Sequence, residues 1–351
     1  MPMPAADIGR LVVRAPNWLG DAVMALPAMA AIRRHMPSAH LTIAASPAVA
    51  ALFREPTSAA PNDVLELPAG SSAATAALRA GRFDAGVLFP NSFRSAWQFY
   101  RAGIGERWGY ATSNRGLLLT RRSPRPRRGE ARHQSDYYRV LVRGLDIPCD
   151  DQELPALRVS EPSARRADAL FVRYRIPADR PVVALLPGAA YGQAKQWPPD
   201  RMAALAARLI TECGVTCVIA GAPHDRPAAR AIESWLHDHA PAAVSGVVDL
   251  VGHTTIGALA GVLARCAVCV SNDSGGMHLA SALGRPVVAI FGPTDDRATH
   301  PAGKHQLMIE DVFCRPCMLR DCPIDHRCMT RIPVDRVFSA VAADLAAGAR
   351  S

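Results

Sequence analysis

Short apolar runs rich in Val, Ile, Leu and Ala recur along this chain and alternate with longer stretches in which apolar positions return every three or four residues. The first kind reads as strand and the second as amphipathic helix. In the first half the pattern predicts strands at Leu11–Arg14, Leu41–Ala44, Val64–Leu67 and Ala85–Phe89. In the second half it predicts strands at Val182–Leu186, Val215–Ala220, Val247–Val251, Ala267–Ser271 and Val287–Phe291. Helical spacing over Asp200–Glu212, Pro227–His239 and Thr255–Arg265 separates them, and Val334–Ala347 forms a last amphipathic helix whose packing partner the pattern does not assign. Strand and helix in alternation are the signature of parallel sheets, so the fold class is α/β.

Length adds the number of such sheets. At 351 residues and 49% hydrophobic, the chain accommodates two domains of roughly 100–200 residues each. The stretch Pro148 to Asp179 is rich in Pro and charge and reads as the linker region, giving domains at 1–165 and 180–330 and a terminal helix within 331–351. Every long apolar run is interrupted by charge, and Met1 to Arg10 lacks a basic region followed by an apolar stretch. A cytoplasmic protein without a membrane span is the expectation.

The formal net charge is +9, with Lys+Arg 40 against Asp+Glu 31. Genome-wide preference for Arg accounts for the total but not for clustering: Arg121, Arg122, Arg125, Arg127 and Arg128 are spaced only by Ser123, Pro124 and Pro126. Proline-broken, this run reads as a loop. It suits phosphorylated lipid headgroups, an anionic membrane surface or nucleic acid, and equally a solvated loop with no partner.

Nine cysteines without a secretory leader point to reduced thiols. Cys314, Cys317, Cys322 and Cys328 form C-x2-C-x4-C-x5-C with His326 close by, enough ligands for a tetrahedral zinc but in a spacing that is not a paired-knuckle pattern. The reading without metal is therefore preferred, with zinc as its alternative. Cys266 and Cys269 straddle the start of an apolar strand and read as core.

Three motifs carry candidate chemistry. In Val268 to Thr294 a strand ends in Asp273 and Ser274, and Gly275 and Gly276 open a helix running to Leu283. Glycine permits close backbone approach, free amides at a helix start suit phosphate, and an acid just before them suits ribose hydroxyls, so the turn fits a nucleotide diphosphate. Leu186 to Pro198 delivers a glycine-bearing loop from another strand to the same edge, with Lys195 as a point charge for pyrophosphate or as a solvated side chain. Arg14 to Asp21 leaves the first strand through Asn17, Trp18 and Gly20, and puts Asp21 near a helix start. There it fits a general base or an ordinary helix-capping aspartate, and Trp18 reads as a wall of the same opening. No G-x-x-x-x-G-K-[ST] is present, and Gly103 to Gly109 carries one residue too many for a dinucleotide fingerprint.

Taken in order, Arg14 to Pro37, Pro187 to Pro198, Ser271 to Thr294 and Cys314 to Met329 resemble the lipopolysaccharide heptosyltransferases over most of the chain. The Asn-Trp-Leu-Gly-Asp form of residues 17–21 is similar to type II rather than type I. The resemblance implies a GT-B fold, two Rossmann-like domains with parallel sheets facing a central cleft, and inverting transfer of L-glycero-D-manno-heptose from ADP-heptose to the first heptose of the inner core. It implies Asp21 as catalytic base; Lys195, Asp273, Ser274, Gly275, Gly276, Met277, His278 and Asp225 around the donor; and no required cofactor. Gly276 stands where many relatives of that kind carry a larger residue. For a heptosyl-Kdo2-lipid A acceptor we assign Asn17, Trp18, Arg121, Arg122, Arg125, Arg127, Arg128, His133 and Tyr137, with peripheral contact to the inner face of the cytoplasmic membrane and no nucleic acid partner. Type I or III enzymes, another GT-B nucleotide-sugar transferase, and a catalytically silent nucleotide-binding module are the competing readings.

Overall fold

Val12 and Val13 point to opposite sides of one strand, and each is 0% exposed. A strand buried on both faces has no need of polar alternation, which is why the strands of this chain read as continuous apolar runs. The computed structural model describes residues 8–126 and 133–348. Its contacts divide the chain into two units, with the boundary between Arg158 and Val159.

The first unit runs β1 (Arg10–Arg14), α1 (Leu19–Met24), α2 (Leu26–His35), β2 (His40–Ala45), α3 (Pro47–Phe53), β3 (Asp63–Glu66), α4 (Ser71–Ala80), β4 (Ala85–Leu88), α5 (Phe93–Arg101), β5 (Glu106–Tyr110), β6 (Arg121–Ser123) and α6 (Gln134–Arg143). The sheet order is β3-β2-β1-β4-β5-β6. All five neighbouring pairs are parallel, with Leu11 opposite Leu41 on one side and Ala85 on the other.

The second unit runs α7 (Glu161–Arg173), β7 (Val182–Leu186), α8 (Pro199–Cys213), β8 (Thr216–Ile219), α9 (Arg226–His239), β9 (Val247–Asp249), α10 (Ile256–Leu263), β10 (Val268–Asn272), α11 (Gly275–Ala282), β11 (Val287–Phe291), α12 (Asp296–Thr299), β12 (His305–Ile309), α13 (Arg327–Thr330) and α14 (Val334–Gly348). Its order, β12-β11-β10-β7-β8-β9, is the same topology as in the first unit, again wholly parallel. In each sheet the winding reverses beside the first strand, between β1 and β4 and between β7 and β10. Diverging loops leave a crevice at such a switch point, beyond the carboxyl ends of the strands.

The α/β reading with two parallel sheets is borne out, and Val182–Leu186 and Val287–Phe291 form strands with the expected ends. Three strands escaped the pattern: β5, β6 and β12. β6 and β12 lie at sheet edges, where one flank has no neighbour and fewer apolar residues are needed. Arg121–Ser123, expected as loop, is the edge strand β6. Arg127 and Arg128 lie outside the described residues.

The linker expectation for Pro148 to Asp179 also requires correction, because α7 occupies part of it and packs along α10 in the second unit. The contact is close at Gly261, where an added Cβ would stand 2.7 Å from Ala167 Cβ and 2.8 Å from the Ser163 carbonyl oxygen. Residues 159–165, expected in the first domain, therefore belong to the second unit. The terminal helix α14 packs against α8 and the β10–β12 side of the sheet, with Val337 and Val341 fully buried. Among the described residues no helix is long and apolar enough to cross a membrane.

Because backbone blocks the space beside Gly261, Gly261→Val is expected to destabilise the second unit by about 1–3 kcal/mol. Thermal melting followed by circular dichroism checks this. An unchanged melting temperature would mean that α7 does not contribute to that unit's stability.

Candidate active site

The second sheet's switch point is organised around Asp273, which follows β10 and is 6% exposed. Its Oδ2 accepts from Lys195 Nζ at 2.5 Å and from Thr294 Oγ1 at 2.7 Å. Lys195 comes from the loop after β7 and Thr294 from the loop after β11, so one carboxylate joins three loops. The Lys195 ammonium also lies 4.9 Å from the centroid of the Tyr191 ring, whose other neighbour is the Arg320 guanidinium at 5.3 Å. One residue earlier, buried Asn272 accepts from the Trp197 amide at 3.0 Å and donates to the Pro187 carbonyl at 2.6 Å. That pair of bonds sets the path of the Pro187–Pro198 loop and carries Lys195 to the strand end.

Helix α11 begins directly beyond this carboxylate. Its N-cap Ser274 makes no side-chain cap bond, because Ser274 Oγ is 3.1 Å from Ser271 Oγ instead. The first-turn amides at Gly275, Gly276 and Met277 are therefore left without a side-chain acceptor, which is the arrangement that favours an anion. A Cβ on Gly276 would crowd the end of the Leu186 side chain at 2.6 Å, with Ser274 Oγ at an ordinary contact distance of 3.7 Å. A flexible methyl group can move aside, so this position does not require glycine. The side chains of Met277 and His278 are buried, which leaves the Met277 amide rather than its thioether as the group able to face a ligand.

Asp225, at the start of α9, is 7% exposed and its Oδ2 accepts from the Ala222 amide at 2.8 Å. Oδ1 makes no hydrogen bond and has His224 Nε2 at 3.5 Å. A Cβ on Gly188 would fall 2.1 Å from Asp225 Cγ, so the absence of a side chain after β7 is what lets Asp225 sit beside that loop.

In the first unit Asp21 lies in the first turn of α1, whose N-cap Trp18 offers no side-chain cap and is 57% exposed. Burial first, and the Asp21 charge second, hold the Tyr138 phenol well above its ordinary pKa, which puts the Asp21 carboxylate within electrostatic reach of α6. Asn17 Oδ1 accepts from Arg14 Nη2 at 2.9 Å. Tyr137 Oη accepts from Asn91 Nδ2 at 2.8 Å, and its ring lies 4.7 Å from that of Tyr110. His133 caps α6 by accepting from the Ser135 amide at 3.2 Å. Arg121 is ion-paired to Asp146 and covers the Trp108 ring at 5.5 Å, whereas Arg122 and Arg125 are exposed. The expected arginine loop is thus split: part of it is strand, and one of its members already has a carboxylate partner.

The four-cysteine segment keeps its thiols near one another. Burial, then the neighbouring Cys314, Cys317 and Cys322, push the Cys328 thiol up to about 11. Among the described residues no three His, Cys, Asp or Glu side chains are arranged to hold a metal ion. Cys266 and Cys269 are wholly buried core residues, as the strand pattern indicated.

Sequence reasoning missed Thr294, although it closes the quoted motif, and also Tyr191 and Arg315. Arg315 bonds the Gly292 carbonyl at 2.6 Å, the Thr294 carbonyl at 3.1 Å and Asp296 Oδ1 at 2.7 Å, thereby fixing the loop that carries Thr294. It missed Arg115 as well. This fully buried guanidinium donates to the carbonyls of Pro90 and Tyr110, and desolvation lowers its pKa to about 10. Thr294 and Arg315 have no local signal, since Asp273 and the Gly292–Asp296 segment that they bond lie about twenty residues away in sequence.

Residues 72–327 match the family described as glycosyltransferase family 9 (heptosyltransferase). The lipopolysaccharide heptosyltransferase 2 of Escherichia coli (strain K12) is 31% identical over 310 residues, covering 83% of this chain and 85% of that relative. The lipooligosaccharide heptosyltransferase 2 of Haemophilus influenzae is 27% identical over 306 residues, with coverage of 83% and 85%. The solved structure of E. coli ADP-heptose lipopolysaccharide heptosyltransferase II superposes with a TM-score of 0.82 at 27% identity, covering 96% of this chain and 99% of that one.

Lys195 and Asp273 are both largely buried, so removing one strands the other's charge. Asp273→Ala is expected to lower unfolding stability by about 3–5 kcal/mol, and the double variant Lys195→Met/Asp273→Ala by less than the sum of the two single changes. Denaturant titration of the four proteins checks this, and additive losses would show that the pair is not energetically coupled.

Proposed function

As this chain belongs to glycosyltransferase family 9, the heptosyltransferases, we propose that it is an inverting type II enzyme. In this reading it transfers L-glycero-D-manno-heptose from ADP-heptose to the first heptose of the lipopolysaccharide inner core. The observation that carries the chemistry is the buried Lys195–Asp273 pair beside the uncapped start of α11. The type II similarities over most of the chain support the choice of acceptor.

In the proposed reaction the acceptor hydroxyl attacks the anomeric carbon, its proton passes to Asp21, and the bond from that carbon to the ADP oxygen breaks. Negative charge grows on the departing diphosphate. The amides at Gly275, Gly276 and Met277 and the Lys195 ammonium meet that charge, with Ser274 at the turn and His278 packed behind it. Fixed dipoles of this kind stabilise charge as it develops without reorganising, so the reaction as proposed needs no metal or other cofactor. Asp273, held by Thr294, serves the ribose, and Asp225 stands nearer the nucleoside.

For the acceptor we propose Asn17, Trp18 and Tyr137 together with the exposed Arg122 and Arg125. His133 positions α6, and Arg121 contributes through its edge strand. Because the acceptor is a glycolipid, we also propose peripheral contact with an anionic bilayer. Along α5, Phe93, Trp97 and Tyr100 are 47%, 40% and 50% exposed and stacked on one another, with ring centroids 6.2 and 5.6 Å apart. Arg101 and Arg107 lie over Trp97 and Tyr100, and Leu117 beside α5 is 92% exposed. Aromatic rings interleaved with arginine match the interfacial and surface layers of an anionic membrane.

Asp21→Asn is expected to lower kcat by about 10²–10⁴-fold at nearly unchanged KM for ADP-heptose. Mass spectrometry of products from acceptors carrying zero, one or two heptoses reads both this and the acceptor type. Extension confined to the one-heptose acceptor is the expected result, whereas near-normal transfer by a folded Asp21→Asn protein would remove Asp21 from the base role. In co-sedimentation, Trp97→Ala/Tyr100→Ala is expected to reduce binding to phosphatidylglycerol vesicles about tenfold. Equal binding of wild type to phosphatidylcholine vesicles would count against a charge-assisted surface.

A further inference from the structure

The segment 313–328, which carries the four cysteines, has no place in the reaction proposed above, yet it touches both loops that supply partners to Asp273. Near its start Arg315 bonds the Gly292 and Thr294 carbonyls, and the Met318 amide donates to the Pro293 carbonyl at 2.9 Å. These bonds attach it to the loop after β11. Farther along it meets the loop after β7, where Tyr191 Oη donates to the Met318 carbonyl at 2.8 Å and the Ala194 amide to the Arg320 carbonyl at 2.9 Å. Its end is rooted in the core through Cys328 and Met329, which are 5% and 0% exposed. The two loops that Asp273 joins are thus joined a second time by this segment.

That second junction is tightest at the residue before Lys195. Ala194 is buried, and both of its backbone polar groups are used: the amide by Arg320, and the carbonyl by His326 Nε2 at 2.7 Å. A Cβ on Gly192 would overlap the Arg320 carbonyl, so the two backbones lie too close for any side chain there. Because a carbonyl oxygen only accepts, Nε2 of His326 carries the proton. Two hydrogen bonds on Ala194 fix the peptide planes on either side of it, and with them the direction in which Lys195 leaves the chain. The Lys195 side chain is 13% exposed and bonded to Asp273, so it is not free to swing and make up for a displaced backbone.

His326 is itself held in an uncommon conformation. Its φ of +56° lies in the left-handed region, which a residue with a side chain keeps only where its surroundings hold it there. Its amide donates to Cys322 Sγ at 3.3 Å, and α13 begins with the next residue. Held in this way, the imidazole is aimed at the Ala194 carbonyl.

We propose that His326 is a positioning residue for donor binding: acting through Ala194, it holds Lys195 where the diphosphate is received. This rests on the reading of Lys195 given above, and it gives the cysteine-bearing segment the task of keeping the loop after β7 in place. The loss of a charge's aim by about 1 Å is enough to weaken its contribution severalfold or more.

Two replacements at His326 separate aim from fold. Asparagine accepts the left-handed region better than most residues, but its amide is too short to reach the Ala194 carbonyl. Glutamine puts an N–H where Nε2 stands and suits that backbone less well. In calorimetric titration of the full chain with ADP, His326→Asn is expected to weaken binding about tenfold and His326→Gln less than about threefold. Melting curves are expected to rank the other way, with His326→Asn at least as stable as His326→Gln, whereas a merely structural role would make affinity follow stability. In a Lys195→Met background, His326→Asn is expected to cost less than about twofold more, since the group it aims is gone. Unchanged ADP affinity in His326→Asn, with Lys195→Met weakened, would overturn the proposal and leave the assignment of Lys195 standing. So would His326→Gln as weak as His326→Asn, or a full tenfold loss persisting beside Lys195→Met. A Lys195→Met protein that binds ADP as tightly as wild type would instead overturn the assignment of Lys195 itself, and this proposal with it.

Discussion

A carboxylate that gives up its water has to be met by cations or hydrogen-bond donors, and the second unit is arranged around that requirement at Asp273. Its two partners arrive from the loops after β7 and β11, while Asp273 itself ends β10. Three chain reversals at the switch point are thus held by one buried charge. Asn272 fixes the first of them through Trp197 and Pro187, and Arg315 fixes the last through Gly292 and Asp296. The start of α11, with its amides left open, is presented on that frame.

The first unit solves the same topological problem with the opposite sign. At its switch point the buried charges are guanidinium groups: Arg14 gathers Ala15, Ala44 and Asn17, and Arg115 gathers Pro90, Asn91 and Tyr110. Backbone carbonyls and amide oxygens accept most of their hydrogen bonds, leaving Arg14 Nε without a partner, and do not neutralise their charge, and burial depresses both pKa values. One sheet edge is therefore closed by an internal ion pair, and the other holds two buried guanidinium groups bonded to neutral acceptors. In the proposed reaction the first arrangement suits a nucleotide diphosphate that gains charge as it leaves, and the second suits an acceptor that is already anionic.

What was legible in the sequence follows from how far each signal reaches. A central strand buried on both faces writes itself as a run such as Leu11-Val12-Val13 or Val287-Val288-Ala289-Ile290, and those strands were readable. Edge strands β6 and β12 were not: Arg121-Arg122-Ser123 has no apolar position, and His305–Ile309 opens on two polar residues and buries only Met308. Helix α7 was hidden by its proline and charge, and declares itself only through the small residues Ala167 and Gly261 that let it lie against α10. Lys195 and Asp273 were legible as separate motif residues. Their pairing was not, because it spans 78 positions.

The sequence by itself determined the α/β class, the two parallel sheets, most central strands and the turns that bear Asp21, Lys195 and Asp273, because periodicity and glycine placement are local properties of a chain. Only the tertiary structure decided which of these charges are compensated. It joined Lys195 to Asp273, engaged Arg121 with Asp146 and Trp108, and left Arg14 and Arg115 bonded to neutral acceptors. The physical reason is that a side chain's charge state and availability depend on water excluded and partners delivered by distant loops, and neither is encoded in the residues beside it.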